Sequence, residues 1–286
     1  MNLVETGGIK KRASLLLSAA LVCASMAHGH TEQQDISWQV VGNDLQQASA
    51  RLNPESVFSS SIVMVRTSLR TSRIQVIRAA DYGWKRATVR ALCRAAGASA
   101  CINTNFFDEQ GKALGLVLSR GIIHQKIHRG GGTLTGIFFA TPKSVGISPR
   151  EGFSPDGVVE ASQAGPRVLS SGVAVPGLKE SSFRTNLSGV CIDRQKRVVL
   201  YRVTSGVFGA SLPLLQSLLM SPGVECEEAL NFDGGGSSQL YISGSIPGHN
   251  GAVREESFPG RDEVPVALGI FTIDQTPPSS DIPSQP

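Results

Sequence analysis

Apolar and polar positions alternate along much of this chain in short runs, and turn residues separate them. Ile36 to Val41, Ser61 to Val65 and Arg73 to Ile77 are β-branched and alternating, which predicts strands. Lys85 to Ala96 changes period: Val89, Leu92, Cys93 and Ala96 fall at i, i+3, i+4 and i+7, a helical stripe that Gly97 terminates. Cys101 to Asp108 then predicts a strand ended by the turn Glu109-Gln110-Gly111. Hairpins are expected around Arg120-Gly121, Ser171-Gly172 and Asp193–Lys196, with short strands at Thr133–Phe139, Lys143–Ile147 and Val158–Ala161. A second helix, Ser211 to Met220, has Ser211 as its cap and Pro213 in its first turn. Pro265 to Ile273 reads as a last buried strand. Ser243 to Glu263 lacks apolar periodicity and is long for a connection, so it is expected beside the site as a mobile cover. These elements predict a single α+β domain, a curved mixed β-sheet with few helices.

The stretch Ala229-Leu230-Asn231-Phe232-Asp233-Gly234-Gly235-Gly236-Ser237-Ser238 stands apart. Asn231 and Asp233 are two apart on an extended run and project from one face. Asp-Gly alone makes a hairpin turn. Three glycines in succession cost more backbone entropy than a hairpin requires, and they allow close approach of backbone to a ligand. An echo precedes it: helix, Cys101, then Asn105-Phe106-Phe107-Asp108 matches helix, Cys226, then Asn231-Phe232-Asp233. An internal helix–strand duplication would bring Asn103, Asn105, Asn231 and both aspartates to one edge.

Charge and the chain ends narrow the function classes. Lys10-Lys11-Arg12, ten apolar-type residues from Ala13 to Val22, and Ser25-Met26-Ala27 form a secretory signal, residues 1–27. The run is well short of the ~20 residues a membrane span needs. Of 27 basic and 23 acidic residues the signal holds three and one, leaving 24 against 22 and a charge of +2. That is too small for a nucleic-acid partner. The domain is expected over 35–275, with a Pro/Ser-rich disordered tail at 276–286, and the location is periplasmic or secreted. Cys93, Cys101, Cys191 and Cys226 remain, and four cysteines allow three pairings. Cys93–Cys101 and Cys191–Cys226 each join neighbouring elements and are the expected pairs. No C-x-x-C spacing supports zinc. No cofactor is expected; a structural divalent cation such as calcium stays open at the Asp233 loop.

The ordered motifs resemble the phosphodiester glycosidase family, from about Leu69 to Ile273. They are Asn103-Thr104-Asn105-Phe106-Phe107-Asp108 with Gly111 and Gly115, then Gly165-Pro166-Arg167-Val168. Arg184-Thr185 leads into Gly189–Asp193, followed by Asn231–Ser237 and a closing Val264-Pro265-Val266-Ala267-Leu268-Gly269. Thr104-Asn105 stand where the family often has two glycines. The resemblance implies an exported glycosidase that cleaves a sugar-1-phosphodiester in a glycoconjugate or cell-surface polysaccharide. It implies Asp233 as the catalytic carboxylate, with Arg184 and Asp108 as further catalytic candidates. Substrate would be held by Asn103, Asn105, Arg167, Thr185, Asn231, Gly234, Gly235, Gly236, Ser237 and His124. A phosphate leaving group is already a stable anion, so the demand falls on an oxocarbenium-like sugar and the departing charge. The rival is a non-catalytic carbohydrate-binding or exopolysaccharide-assembly protein on the same fold.

Overall fold

The structure is a computed structural model that describes residues 36–52, 60–178, 185–205, 210–246 and 253–273. The expected leader, the tail and Arg184 lie outside the described residues. The described residues all belong to one compact unit.

Strands dominate, in three sheets. The first has eight, in the order Gln39–Gly42, Leu45–Arg51, Ser61–Thr67, Val198–Thr204, Leu187–Asp193, Cys226–Asn231, Arg167–Ser170 and Val173–Ala174. The second has five: Ile122–Gln125, Val117–Ser119, Glu160–Ala164, Gly136–Ala140 and Val145–Pro149. The third has five: Glu256–Phe258, Leu240–Ile242, Ala100–Asn103, Val266–Thr272 and Ser72–Arg78. Among the described residues every ladder between neighbouring strands is antiparallel, so the expected mixed sheet is replaced by three antiparallel ones.

Two helices, α1 (Val89–Ala96) and α2 (Leu212–Met220), each join two strands that run parallel without pairing to each other. α1 links Ser72–Arg78 to Ala100–Asn103, and these run parallel with antiparallel Val266–Thr272 between them. α2 links Val198–Thr204 to Cys226–Asn231 in the same way, with Leu187–Asp193 between. Both units are therefore split βαβ crossovers of one construction. Local chemistry sets their ends. The Thr88 hydroxyl accepts from Ala91 N (3.2 Å) and Ser211 from Leu214 N (3.3 Å), while Gly97 takes the left-handed cap at φ 69°. α1 begins at Val89 rather than Lys85, because Thr88 caps it and Ala87 is held in an antiparallel bridge to Val264.

Period-two patterning sorts the side chains into layers. Leu200, Val190 and Leu230 of the first sheet face Ile102, Leu268, Phe138 and Val117 of the other two, and this is the main core. Tyr201, Cys191 and Ala229 point the other way, under α2. Ile77, Cys101 and Ala267 pack under α1. Buried Glu160 joins the two smaller sheets: its carboxylate accepts Val76 N (2.9 Å) and Arg120 N (3.1 Å). No helix among the described residues is long and apolar enough to cross a membrane.

Both expected disulfides form. Cys93–Cys101 ties α1 to its following strand, and Cys191–Cys226 staples adjacent strands, with Cα separations of 5.7 and 5.8 Å. Their sequence separations are 8 and 35. By chain entropy, opening the longer should cost about 4 kcal/mol and the shorter about 2.5. Chemical denaturation of Cys191→Ala/Cys226→Ala and Cys93→Ala/Cys101→Ala proteins checks that order; a reversed order would show that loop length does not control it.

Candidate functional site

The central strand Cys226–Asn231 leads out of the first sheet through Phe232 to Asp233. Phe232 N donates to Ser188 O (2.7 Å) and Asp233 N to Thr104 O (2.9 Å), so the chain passes from one sheet's edge to the other's. The Asp233 carbonyl accepts both Asn103 Nδ2 (2.6 Å) and Ser188 Oγ (2.9 Å). Leu240–Ile242, after the glycines, pairs with Ala100–Asn103 and not with the strand before them. The glycine run is therefore a crossing between sheets. It is not a hairpin turn.

Each glycine answers a separate demand. Gly235 has φ 60°, and its N–H donates to Asn186 O (2.9 Å). A Cβ on Gly234 would crowd that same Asn186 carbonyl, and one on Gly236 would overlap the Asp262 carboxylate. Gly236 is bare because a second loop, Pro259–Asp262, lies on it. Arg261 N and Asp262 N both donate to Gly236 O, at 2.8 and 3.0 Å. Gln239 Nε2 holds Asp262 O (2.7 Å) from beneath. The expected mobile cover is thus different in its described part: Glu256–Phe258 is a strand on the third sheet, and the loop after it is docked. Residues 247–252 of that segment lie outside the described residues.

Two carboxylates consequently meet at this edge. The Asp233 pKa is pushed up to about 6, first by burial, with the negative charge of Asp262 adding to it. Hydrogen bonds from Ser237 and Gly234 N–H oppose the rise without cancelling it. Asp262 is more open and has Arg261 at 3.1 Å. Unequal environments are what separate the duties of two acids in one site. Beneath the pair lies Arg202, 5% exposed, with no carboxylate in ion-pair range among the described residues. Its Nε donates to Ser238 O and its NH2 group to Pro259 O, both at 3.3 Å, while NH1 donates to Thr204 Oγ1. One guanidinium thus clamps the end of the glycine run to the start of the Asp262 loop.

The expected site residues divide. Asp233, Gly234, Gly235, Gly236, Ser237, Asn103 and Asn231 come together, and Thr185 stands next to Gly234. Asn103 is spent on scaffolding, with Gln239 N donating to its Oδ1 (3.0 Å). Asn105 is 1% exposed and fully used: Nδ2 donates to Leu116 O and Gln163 O, and Oδ1 accepts from Thr104 and Ser162 hydroxyls. Asn231 differs, because its Nδ2 donates to Gly165 O and Phe232 O while its buried Oδ1 has no partner. Arg167 is committed to Glu228 (3.2 Å) and Ser170. Asp108 closes its own turn by accepting Lys112 N (2.8 Å). His124 sits against Arg78 on the second sheet's edge strand.

Asp262, Arg261 and Arg202 were not anticipated. The signal for Arg202 was a lone charge in an otherwise apolar strand, Val198-Val199-Leu200-Tyr201-Arg202-Val203. Asp262 and Arg261 lay in the long aperiodic segment, directly before Val264–Gly269. Among the described residues no group of three or more His, Cys, Asp or Glu side chains is placed to hold a metal ion.

Known proteins match this architecture. The catalytic domain of zebrafish N-acetylglucosamine-1-phosphodiester alpha-N-acetylglucosaminidase, auto-inhibited by its pro-peptide, superposes with a TM-score of 0.60 at 15% identity, over 83% of this chain and 88% of that one. A hypothetical protein from Synechocystis gives 0.56 at 15% identity, over 85% of this chain and 64% of that one. No curated protein matches the chain in sequence. The phosphodiester glycosidase family model matches residues 96–271, a span that holds both helix–strand units' final strands, the glycine crossing and the Asp262 loop. The chain belongs to the phosphodiester glycosidase family.

Proposed function

We propose that this protein hydrolyses the bond between a sugar's anomeric carbon and a phosphodiester oxygen, in a glycoconjugate or cell-surface polysaccharide outside the cytoplasm. The observation that carries the reading is the Asp233 carboxylate, half-buried at the junction of two sheets, with Asp262 and its arginine docked over it. As the glycosidic bond breaks, positive charge grows at the anomeric carbon and negative charge at the departing phosphate. Ionised Asp233 stabilises the first, either through space or by attack at the anomeric carbon. The Arg261 guanidinium, 84% exposed and beside Gly236, meets the second with paired N–H donors. Arg167 spends one guanidinium nitrogen on Glu228 and Ser170, while its buried Nε has no partner. The test is release of reducing sugar from a panel of sugar-1-phosphodiesters that includes UDP-GlcNAc. Binding without release across the panel would favour the carbohydrate-binding alternative.

The raised Asp233 pKa has a definite sign. Activity that needs the carboxylate falls as pH drops through about 6, which sets the acid limb of kcat/KM. Removing the like charge in Asp262→Asn should move that limb to lower pH, because Asp262 raises the Asp233 pKa. An acid limb that stays in place in Asp262→Asn would show that the two carboxylates are not coupled.

A further inference from the structure

Beyond the reacting edge, the link from Ser72–Arg78 to α1 carries an aromatic pair. The chain makes a short 3-10 turn, Ala79–Tyr82, passes through Gly83 at φ 76°, and then presents Trp84. Trp84 is 39% exposed, and no other aromatic side chain among the described residues is as open to solvent. Its ring lies 5.8 Å from that of Tyr82 at 33°. Beside the rings, Arg78 is 3.0 Å from Asp81 and 2.6 Å from His124 Nδ1, a cluster of donors and acceptors open to solvent in part. Burial and the Arg78 charge both lower the His124 pKa, and Asp81 opposes them.

The backbone fastens this platform to the edge that holds the carboxylates. Trp84 N donates to Ala79 O (3.0 Å), Ala79 N to Pro265 O (2.9 Å), and Ala87 N to Val264 O (3.0 Å). Asp262 precedes Val264 by two residues. We propose that Trp84 and Tyr82 form a second subsite, which stacks a pyranose ring of the same glycan whose phosphodiester lies at Asp233. The proposal rests on the glycosidase reading and extends it: the substrate is longer than one sugar. A pyranose fits because its C–H face is apolar and slightly positive against the negative face of an indole or phenol ring. Its equatorial hydroxyls, in the plane of stacking, meet the groups of Arg78, Asp81 and His124.

The chain has two tryptophans, Trp38 and Trp84, and Trp38 lies under the Arg66 guanidinium at 3.9 Å. In a Trp38→Phe protein, intrinsic fluorescence reports Trp84 alone. Titration with chitotetraose, maltotetraose, cellotetraose and mannotetraose should give a saturable blue shift with at least one. By calorimetry, Trp84→Ala and Tyr82→Ala should bind that sugar about tenfold more weakly, and Trp84→Phe should recover most of the loss. Turnover of the methyl phosphodiester of GlcNAc-1-phosphate, which has one sugar and no ring beyond it to stack, should be unchanged in Trp84→Ala. No saturable shift with any of the four sugars, or undiminished binding in Trp84→Ala, would overturn the subsite. These sugars carry no phosphate, so that outcome leaves hydrolysis at Asp233 standing. Sugar binding without hydrolysis of any phosphodiester would instead remove the enzymatic reading and keep the subsite.

Discussion

Asp233→Asn is expected to lower kcat by at least ~10²-fold while raising the melting temperature. The two effects share one cause. In the folded protein the Asp233 pKa is about 6 against an ordinary value of 3.8, so the native state binds this proton more tightly than the unfolded chain. Stability is therefore full below the unfolded pKa and is lost as pH rises through the window from 3.8 to about 6. At pH 7 the ionised group costs about 1–3 kcal/mol, the lower figure allowing for solvent screening of a half-buried side chain. Asparagine keeps the shape and an acceptor for Ser237 and Gly234 N–H, and it removes the charge. A site that stores this cost in order to present a poorly solvated carboxylate gains stability when it is disarmed. Thermal unfolding and steady-state kinetics on the same preparation decide the matter. A lower melting temperature with near-normal kcat would make Asp233 a structural residue.

Asn105→Ala should have the opposite signature: a large loss of stability and an unaltered KM well below the melting temperature. The side chain joins Leu116 O (3.1 Å) and Gln163 O (3.0 Å) to the hydroxyls of Thr104 and Ser162 (2.8 Å each). Truncation takes a donor from two buried carbonyls, of which Leu116 O keeps Gln163 N (2.9 Å), leaves two hydroxyls without their acceptor, and opens a small void. At about 1–3 kcal/mol for each unsatisfied group, partly relieved by relaxation, a loss of at least ~3 kcal/mol is expected. Urea denaturation measures it directly. If Asn105 instead touched sugar, as the motif suggested, KM would rise with little change in midpoint.

Period and turn chemistry made most strands and both helices legible, because their signals are local. Leu45–Arg51 was not anticipated: its inward positions are Leu45, Ala48 and Ala50, too small and sparse to mark an alternating strand. Glu256–Phe258 is an edge strand of three residues with no apolar run. Asp233 stood out because three glycines beside a carboxylate are rare in ordinary turns. What those glycines accommodate was hidden, since the Asp262 loop meets them only in three dimensions. The same limit applies to the arginines. Arg167 and Arg202 look alike in sequence, yet one faces Glu228 and the other clamps two loops. Pairing of charges between strands distant in sequence leaves no mark in linear spacing.

The third sheet also dictates the order in which the protein can be built. Its middle strand, Ala100–Asn103, is flanked by Leu240–Ile242 and Val266–Thr272, partners that are synthesised well over a hundred residues later. Until they arrive, the strand has no ladder on either side, and Asn103 lacks Gln239 N as well as the Asp233 carbonyl. Contacts of such sequence separation make folding slow, in the range of milliseconds to seconds. A nascent chain halted before Val266 therefore carries every residue of the glycine crossing without the sheet that orients it. Activity should appear only after the last strand is released, as a late and all-at-once event.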